Sequence, residues 1–171
     1  MAILTHNDIL QKIKAGIIKI EPFNSKNLGP ASIDLTLDNK FRVFKNVNEI
    51  VHLKTDEFNF DETSETITIK DYINLMPGQT ILGITKEKLT LPDTICGWIQ
   101  GRSRFARIGL MVHITASFIQ PGVSNKQVLE MNNAGPISIA IYPGIAICQI
   151  ILEETTGQGK YQGKFKNQNF P

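Results

Sequence analysis

Three arginines, Arg102, Arg104 and Arg107, fall within six residues of a chain whose formal net charge is only +2. Ser103 could start a short helix there and Gly109 could end it. In such a helix Ser103, Arg104 and Arg107 share a face, and guanidinium groups beside a helix N-terminus suit a phosphate or another anion. The same residues also fit a surface turn with solvated arginines, and the segment alone leaves both interpretations open.

Glu130 is a second candidate for chemistry, because it stands in a mostly apolar strand pattern. By alternation it shares a face with Val128. A carboxylate that faces a core is costly unless it is paired, and such a group often marks a site of proton transfer. The pattern fits equally well an outward glutamate, with Val128 on a solvated face. His113, in an apolar run before Glu130, fits a core histidine better than a catalyst.

The remaining residue types exclude several other chemistries. Cys96 and Cys148 are 52 positions apart and the histidines are scattered, so we expect no protein-bound metal. The sequence lacks a P-loop, a dinucleotide-binding glycine fingerprint and the paired motif of zinc-dependent nucleobase deaminases. Both cysteines lie in apolar runs and are predicted to be buried free thiols in a reducing compartment.

The composition is that of an ordinary globular protein. The 171 residues and 42% hydrophobic content predict one domain with a substantial core. Because 18 basic residues face 16 acidic ones, we expect no binding to nucleic acid and none to membranes. A signal-peptide pattern and an apolar run of roughly 18 residues are both absent from the sequence, so a cytoplasmic location is expected.

The elements that must position these residues are predicted to be mostly short strands. Thr5 begins one amphipathic helix, which ends near Gly16. Period-two alternation, with Pro/Gly turns at intervals of about ten residues, favours an all-β sandwich or barrel. The predicted strands cover residues 17–20, 31–37, 41–44, 67–69, 72–75, 80–84, 95–99, 128–131, 137–141 and 146–152.

Two stretches lack such signals. Residues 45–66 are predicted to be loops, with one weak strand near residues 51–53. The acidic side chains of this segment are expected on a solvated face, and they are Asp56, Glu57, Asp61, Glu62 and Glu65. After Glu154 the sequence becomes polar, glycine-rich and basic, which predicts a mobile tail. The expected organisation is one domain over residues 1–154 with a tail over residues 155–171.

Taken in order, several motifs resemble those of the dCTP deaminase family in the dUTPase superfamily. The matching stretches are Asp8-Ile9-Leu10, Ile20-Glu21-Pro22-Phe23, Pro30-Ala31-Ser32-Ile33-Asp34-Leu35, Pro77-Gly78-Gln79, Gly101-Arg102-Ser103, Ala106-Arg107-Ile108-Gly109-Leu110, Val112-His113-Ile114-Thr115-Ala116, Pro121-Gly122, Leu129-Glu130, Asn133 with Gly135, Tyr142-Pro143-Gly144 and Tyr161-Gln162-Gly163-Lys164-Phe165-Lys166-Asn167-Gln168. Each motif alone is weak. Their order and spacing along nearly the whole chain carry the resemblance.

The resemblance implies a mainly β protein, namely a distorted β-barrel of the dUTPase-like β-clip fold, with a short N-terminal helix and one short central helix. It also implies a homotrimer with nucleotide sites between subunits. The implied reaction is metal-independent deamination of dCTP to dUTP and ammonia, within the biosynthesis of dUMP and dTTP. Mg²⁺ would accompany the triphosphate, no protein-bound cofactor is implied, and dTTP is a candidate inhibitor.

The resemblance also implies roles for individual residues. Glu130 matches the general acid and base, and Ser103 and Arg107 match the residues that hold the attacking water and support Glu130. The tail would close over the triphosphate. The residues that match substrate contacts are Arg102, Arg104, Ile114, Thr115, Ala116, Gln120, Tyr161, Lys164 and Gln168.

The sequence departs from the family pattern at four positions. Gln120 stands where the superfamily usually has Asp, Arg104 replaces a second serine, Val123 replaces an aromatic residue and Phe165 replaces the commoner Tyr. Glutamine cannot act as a base, which argues against phosphate-ester chemistry at Gln120. A dUTP diphosphatase or bifunctional enzyme is therefore the second hypothesis, and a non-catalytic nucleotide-binding homologue is the third.

Overall fold

Antiparallel strands make up most of the regular secondary structure that is described. The computed structural model describes residues 2–45, 50–52, 59–166 and 168. Within these ranges the helices are α1 (His6–Lys14), α2 (Phe60–Thr63) and α3 (Ser103–Ala106), and Ser25–Asn27 forms a 3-10 turn. The strands are β1 (Lys19–Glu21), β2 (Ile33–Phe44), β3 (Ser64–Thr68), β4 (Ile73–Leu75), β5 (Thr80–Thr90), β6 (Ile95–Gly101), β7 (Leu110–Met111), β8 (Phe118–Ile119), β9 (Ser124–Asn133), β10 (Ile139–Ile141) and β11 (Ala146–Glu154).

Nine of these strands form one curled sheet, an open half-barrel. Its main order is β7-β9-β5-β2-β11-β6-β8, while β1 pairs with β5 and β3 pairs with β2. The strands β10 and β4 form a separate two-stranded sheet. The predicted mainly β fold with a short N-terminal and a short central helix is confirmed. The helix α2 is an addition that the sequence did not predict.

The core lies against one face of the curled sheet, where period-two alternation places apolar side chains. On β2 the side chains of Ile33, Leu35 and Leu37 are buried, and on β9 those of Leu129 and Met131 are buried. Each such side chain contributes about 1.5–3 kcal/mol when it is fully removed from water. Because alternate residues of β9 are buried, the side chains between them point to the opposite face of the strand.

The helix α1 confirms the prediction from Thr5 to Gly16. The carboxylate of Asp8 accepts hydrogen bonds from the Thr5 hydroxyl at 2.6 Å and the Thr5 backbone N–H at 3.1 Å. These bonds hold the pKa of Asp8 below its ordinary value. The helix buries Ile9 against the core, and Gly16 follows its end with a φ of 70°.

The main differences from the predicted elements lie in residues 41–68. The predicted strands 31–37 and 41–44 are one strand, β2, because a register shift between Leu37 and Phe41 bends the strand without ending it. The polar stretch after residue 58 contains α2, which we did not predict, and the first residues of β3, which begins at Ser64, three positions before the predicted strand 67–69. Val51 and His52 are not in a strand, and Leu53 lies outside the described residues.

The acidic side chains of this segment are only partly a solvated face. Glu62 and Glu65 are exposed, and Asp61 is exposed but forms an ion pair with Arg42. Asp56 and Glu57 lie outside the described residues.

Both cysteines are buried and free, as predicted. Burial raises the pKa of the Cys96 thiol, and burial together with the nearby Glu87 and Asp34 charges raises that of Cys148. No helix within the described ranges combines the length and apolar content that crossing a membrane requires.

Candidate functional site

A cavity of about 710 Å³ lies against β9, which lines it with Asn125, Gln127, Val128 and Glu130. Its volume falls in the range of small-molecule sites, roughly 300–1,000 Å³. Strands β8 and β9 and the tail supply most of its wall, with one residue each from α2 and β5. The lining residues are Phe60, Leu82, Ala116, Phe118, Ile119, Gln120, Val123, Asn125, Gln127, Val128, Glu130, Tyr161, Lys164, Phe165 and Gln168.

Glu130 lies in this wall, opposite Leu82 of β5. Its strand neighbours Leu129 and Met131 are fully buried in the core, so Glu130 and Val128 lie on the other face. Neither of the two interpretations of the sequence pattern is correct, because this face is neither core nor open solvent. It is the inside of a cavity.

The environment of Glu130 is unusual for a carboxylate. Its Oε2 atom is buried, and no hydrogen-bond partner for it occurs among the described residues. Glu130 is also the one carboxylate among the described residues of the wall. An unpaired buried acceptor is destabilising and often has a functional explanation. Glu130 is therefore the strongest candidate for a proton-transferring group in this cavity.

The arginine segment forms the predicted short helix, α3, preceded by Arg102 and followed by Arg107. Gly109 ends it with a φ of 92°, and its carbonyl accepts a hydrogen bond from the Ala134 N–H at 2.9 Å. A Cβ on Gly109 would lie 2.4 Å from the backbone of Gly135. Only glycine allows this close approach, which ties α3 to the end of β9.

The four polar residues of this segment, Arg102, Ser103, Arg104 and Arg107, have two different environments. Arg102 forms an ion pair with Asp34 at 3.0 Å and donates to the Ala146 carbonyl at 3.0 Å, so its guanidinium group is used within the fold. Ser103, Arg104 and Arg107 are exposed. None of the four lines the described cavity wall. Within one chain, therefore, the structure does not bring Ser103 and Arg107 to Glu130.

The segment between β7 and β8 reaches the cavity only at its end. Ala116 lines the wall, whereas Ile114 and Thr115 are exposed and lie outside the described lining. His113 is half-buried, and its buried Nδ1 has no partner within the described part of the chain. Gln120 lines the cavity.

The tail forms one wall of the cavity through Tyr161, Lys164 and Gln168, all three of which we predicted as substrate contacts. The backbone of Lys126 donates to the Gln168 carbonyl at 3.1 Å, and the Tyr161 N–H donates to the Pro121 carbonyl at 3.0 Å. Phe165 also lines the cavity, where the Asn125 side chain donates to its carbonyl at 2.7 Å.

Sequence reasoning missed several wall residues. Phe60 and Leu82 come from segments that carried no functional signal. Phe118 was also missed, and its ring packs against that of Trp98 with centroids 4.7 Å apart. Val123 and Phe165 were noted only as departures from a family pattern, yet both line the cavity.

The wall as a whole combines aromatic and apolar surface, four side-chain amides, one carboxylate and one ammonium group, that of Lys164, among its described residues. Aromatic surface suits a flat ring, amides suit hydrogen-bonding edges, and an ammonium group suits an anion. These features fit a ligand with a polar ring and a negatively charged group.

Comparisons with known proteins agree with this chemistry. A family model described as dCTP deaminase-like matches residues 3–155. The chain is 35% identical to a "dCTP deaminase, dUMP-forming" of Corynebacterium glutamicum (strain R), over 99% of this chain and 93% of that protein. It is 37% identical to a "dCTP deaminase" of Marinomonas sp. (strain MWYL1), over 90% of this chain and 84% of that protein.

A solved structure shares the fold. The 2'-deoxycytidine 5'-triphosphate deaminase from Agrobacterium tumefaciens superposes with a TM-score of 0.69 over 88% of this chain, at 19% identity. The match spans about half of that longer chain, 47% of it. From the family match and the identities over nearly full length, the chain belongs to the dCTP deaminase-like family.

Proposed function

We propose that this chain deaminates dCTP, with Glu130 as the general acid and base. The observation that carries the proposal is the buried Glu130 Oε2, which has no partner among the described residues and lies in a cavity whose other described wall residues are not acidic. Water attacks C4 of the cytosine ring while Glu130 takes its proton and delivers it to N3. Glu130 then takes the proton of the new C4 hydroxyl and delivers it to the amine, the C4–N bond breaks as the C4 carbonyl forms, and dCTP and water become dUTP and ammonia.

The arrangement of the wall supports one orientation of the substrate. The base lies at the Glu130 end and the triphosphate, with its Mg²⁺, lies toward Lys164 and the tail. From Glu130 to Asn125 the strand β9 extends about 16 Å, which suits an extended nucleoside triphosphate. The tail would then exclude water from the reacting ring when it closes over the phosphates. dTTP, which has the same sugar and phosphates, is expected to compete.

The exposed position of α3 supports assembly of the site from more than one copy. Ser103 and Arg107 would reach Glu130 from a neighbouring subunit of a homotrimer. Ile108, Met111 and Ile114 beside α3 are 42%, 40% and 45% exposed, which supports an apolar contact there.

Mixing two inactive variants tests this arrangement. Subunits carrying Glu130→Gln are denatured and refolded with subunits carrying Arg107→Ala. If the site lies between subunits, mixed trimers regain part of the activity, because some interfaces combine the intact Glu130 of one chain with the intact Arg107 of another. Activity that stays absent, in trimers shown to be mixed, would contradict a shared site.

The product distinguishes two candidate functions. Gln120 lines the cavity and cannot act as a base at the phosphates, which favours release of dUTP. The printed names of relatives such as the one from Corynebacterium glutamicum include "dUMP-forming", which favours a bifunctional enzyme as the second candidate.

One product assay tests both candidates. The protein is incubated with dCTP and Mg²⁺, and ammonia, dUTP, dUMP and pyrophosphate are measured, with Glu130→Gln as the inactive control. Ammonia with dUTP supports the deaminase, and ammonia with dUMP and pyrophosphate identifies the bifunctional enzyme. Tight dCTP binding without ammonia release would overturn both and favour a non-catalytic nucleotide-binding homologue.

A further inference from the structure

The segment from Asn59 to Ser64 is tied firmly to the curled sheet. The Asp61 carboxylate forms an ion pair with the Arg42 guanidinium group of β2 at 2.8 Å, and the Lys45 ammonium group donates to the Asp61 backbone carbonyl at 2.7 Å. Arg42 also donates to the Ser64 hydroxyl at 3.1 Å. The Asn59 side chain accepts from the Asp61 N–H at 3.1 Å and so caps α2. These contacts leave α2 in one place relative to β2.

That place is next to the Glu130 end of the cavity. Arg42 is opposite Leu82 in the pairing of β2 with β5, and Leu82 is opposite Glu130 in the pairing of β5 with β9. Directly opposite residues of antiparallel strands point to the same face, so the three side chains form one row. With strands about 4.8 Å apart, the backbone of Arg42 is about 10 Å from that of Glu130.

Phe60, the first residue of α2, enters the cavity at this end. The residue lines the wall together with Leu82 and Glu130 and is 39% exposed. The tail meets the other end of the cavity, where it bonds to Asn125 and Lys126. A large aromatic ring that is held in place at a cavity wall suits the flat face of a ligand ring.

We propose that Phe60 contacts the pyrimidine ring of the nucleotide, and that the Asp61–Arg42 ion pair positions Phe60 for that contact. The inference rests on the proposed function, since it takes the group at the Glu130 end to be a base. Phe60 binds the ring and does not transfer protons. It holds the ring against the wall that carries Glu130, while the phosphates lie beyond its reach at the Lys164 end.

Steady-state kinetics and inhibitor binding test the proposal in the full chain. Base–aromatic contacts correspond to roughly five- to hundredfold in affinity, so Phe60→Ala is expected to raise the KM for dCTP about tenfold or more, with kcat within about threefold. Phe60→Tyr should restore the wild-type KM. Asp61→Asn should also raise the KM, but by less than Phe60→Ala does, because an ion pair with an exposed partner is weak.

Tripolyphosphate, which has no base, separates ring contact from a general change in the site. The inhibition constant of tripolyphosphate should be unchanged in Phe60→Ala and should rise in Lys164→Ala, because only the second change removes a group that binds phosphate. The matched control is Phe44→Ala, because Phe44 is a 49% exposed phenylalanine at the end of β2 that lies outside the described cavity wall. That variant should keep the wild-type KM.

Two results would overturn the inference. One is a Phe60→Ala enzyme with wild-type KM, and the other is a variant that weakens dCTP and tripolyphosphate equally. A wild-type protein that neither binds nor converts dCTP would instead refute the proposed function, so the two failures are distinguishable. Thermal midpoints of all variants, measured beside the kinetics, show whether α2 and the sheet remain folded.

Discussion

Replacing Glu130 by glutamine should abolish activity and leave the fold as stable as before, or more so. The two side chains have nearly the same shape, but glutamine cannot accept and return a proton. Positioned acid–base groups contribute about 10²–10⁴ in rate, and we expect kcat for dCTP deamination to fall by that factor. The KM should change little, because the wall around the ring keeps its shape.

The stability effect follows from the buried Oε2 atom, which lacks a partner among the described residues. A charged oxygen without a hydrogen bond is more costly to bury than a neutral amide. Glu130→Gln should therefore raise the free energy of unfolding by up to about 1 kcal/mol, or about 2–4 °C in Tm for a chain of this size. Urea unfolding and thermal melting at pH 7 measure this change directly.

The control is Glu65→Gln, at an exposed position on β3. It should change neither kcat nor the unfolding free energy by more than about 0.5 kcal/mol. A Glu130→Gln protein that retains more than a tenth of wild-type kcat would refute the acid–base role. One that is destabilised by more than about 1 kcal/mol would show that Glu130 is a structural residue instead.

Three further predictions concern stability. Gly109→Ala should lower the unfolding free energy by about 2–3 kcal/mol more than Gly144→Ala does. Both glycines have a positive φ, but only a Cβ on residue 109 would lie 2.4 Å from the backbone of another residue. Equal melting temperatures of the two variants would contradict this clash. Asn133→Ala should lower the free energy of unfolding, measured in urea, by about 3 kcal/mol, because this fully buried side chain forms hydrogen bonds to two carbonyls and one N–H. A loss below about 1 kcal/mol would mean that water replaces those bonds. Burial raises the pKa of Asp38, but hydrogen bonds from Lys126 and a backbone N–H, with nearby positive charge, lower it more, so the net pKa is below its ordinary value. The stabilisation that this pair provides is thus present above the unfolded pKa, near 3.8, and is lost as pH falls through the lower folded pKa. Asp38→Asn should be less stable than wild type at pH 7 and equal to it at the lowest pH. A stability difference that stays constant across that pH range would refute the role of the Asp38 carboxylate.

Much of the fold could be predicted from local patterns. The helix α1 begins at a threonine with an aspartate three residues later and ends beside a glycine, and most strands follow alternation between turns. The segment with α2 and the first residues of β3 could not be predicted that way. Its polar residues carry no period, and its structure depends on Arg42, which lies about twenty positions earlier in the chain.

The site was predictable only in part, for a related reason. Glu130 and the tail residue Lys164 line one cavity, as the resemblance implied. Ser103 and Arg107 were expected beside Glu130, but a single chain leaves them exposed elsewhere. Phe60 could not be found from its neighbours in sequence, because its place in the wall is set by the pairing of β2, β5 and β9.

The contact between Trp98 and Phe118 gives the protein a built-in optical probe. Trp98 is the only tryptophan in the sequence, it is 39% exposed, and its ring packs on a residue of the cavity wall. A ligand that presses on Phe118 changes the surroundings of the indole directly. Intrinsic fluorescence should therefore follow occupancy of the cavity without any label, and also in variants that no longer turn over substrate.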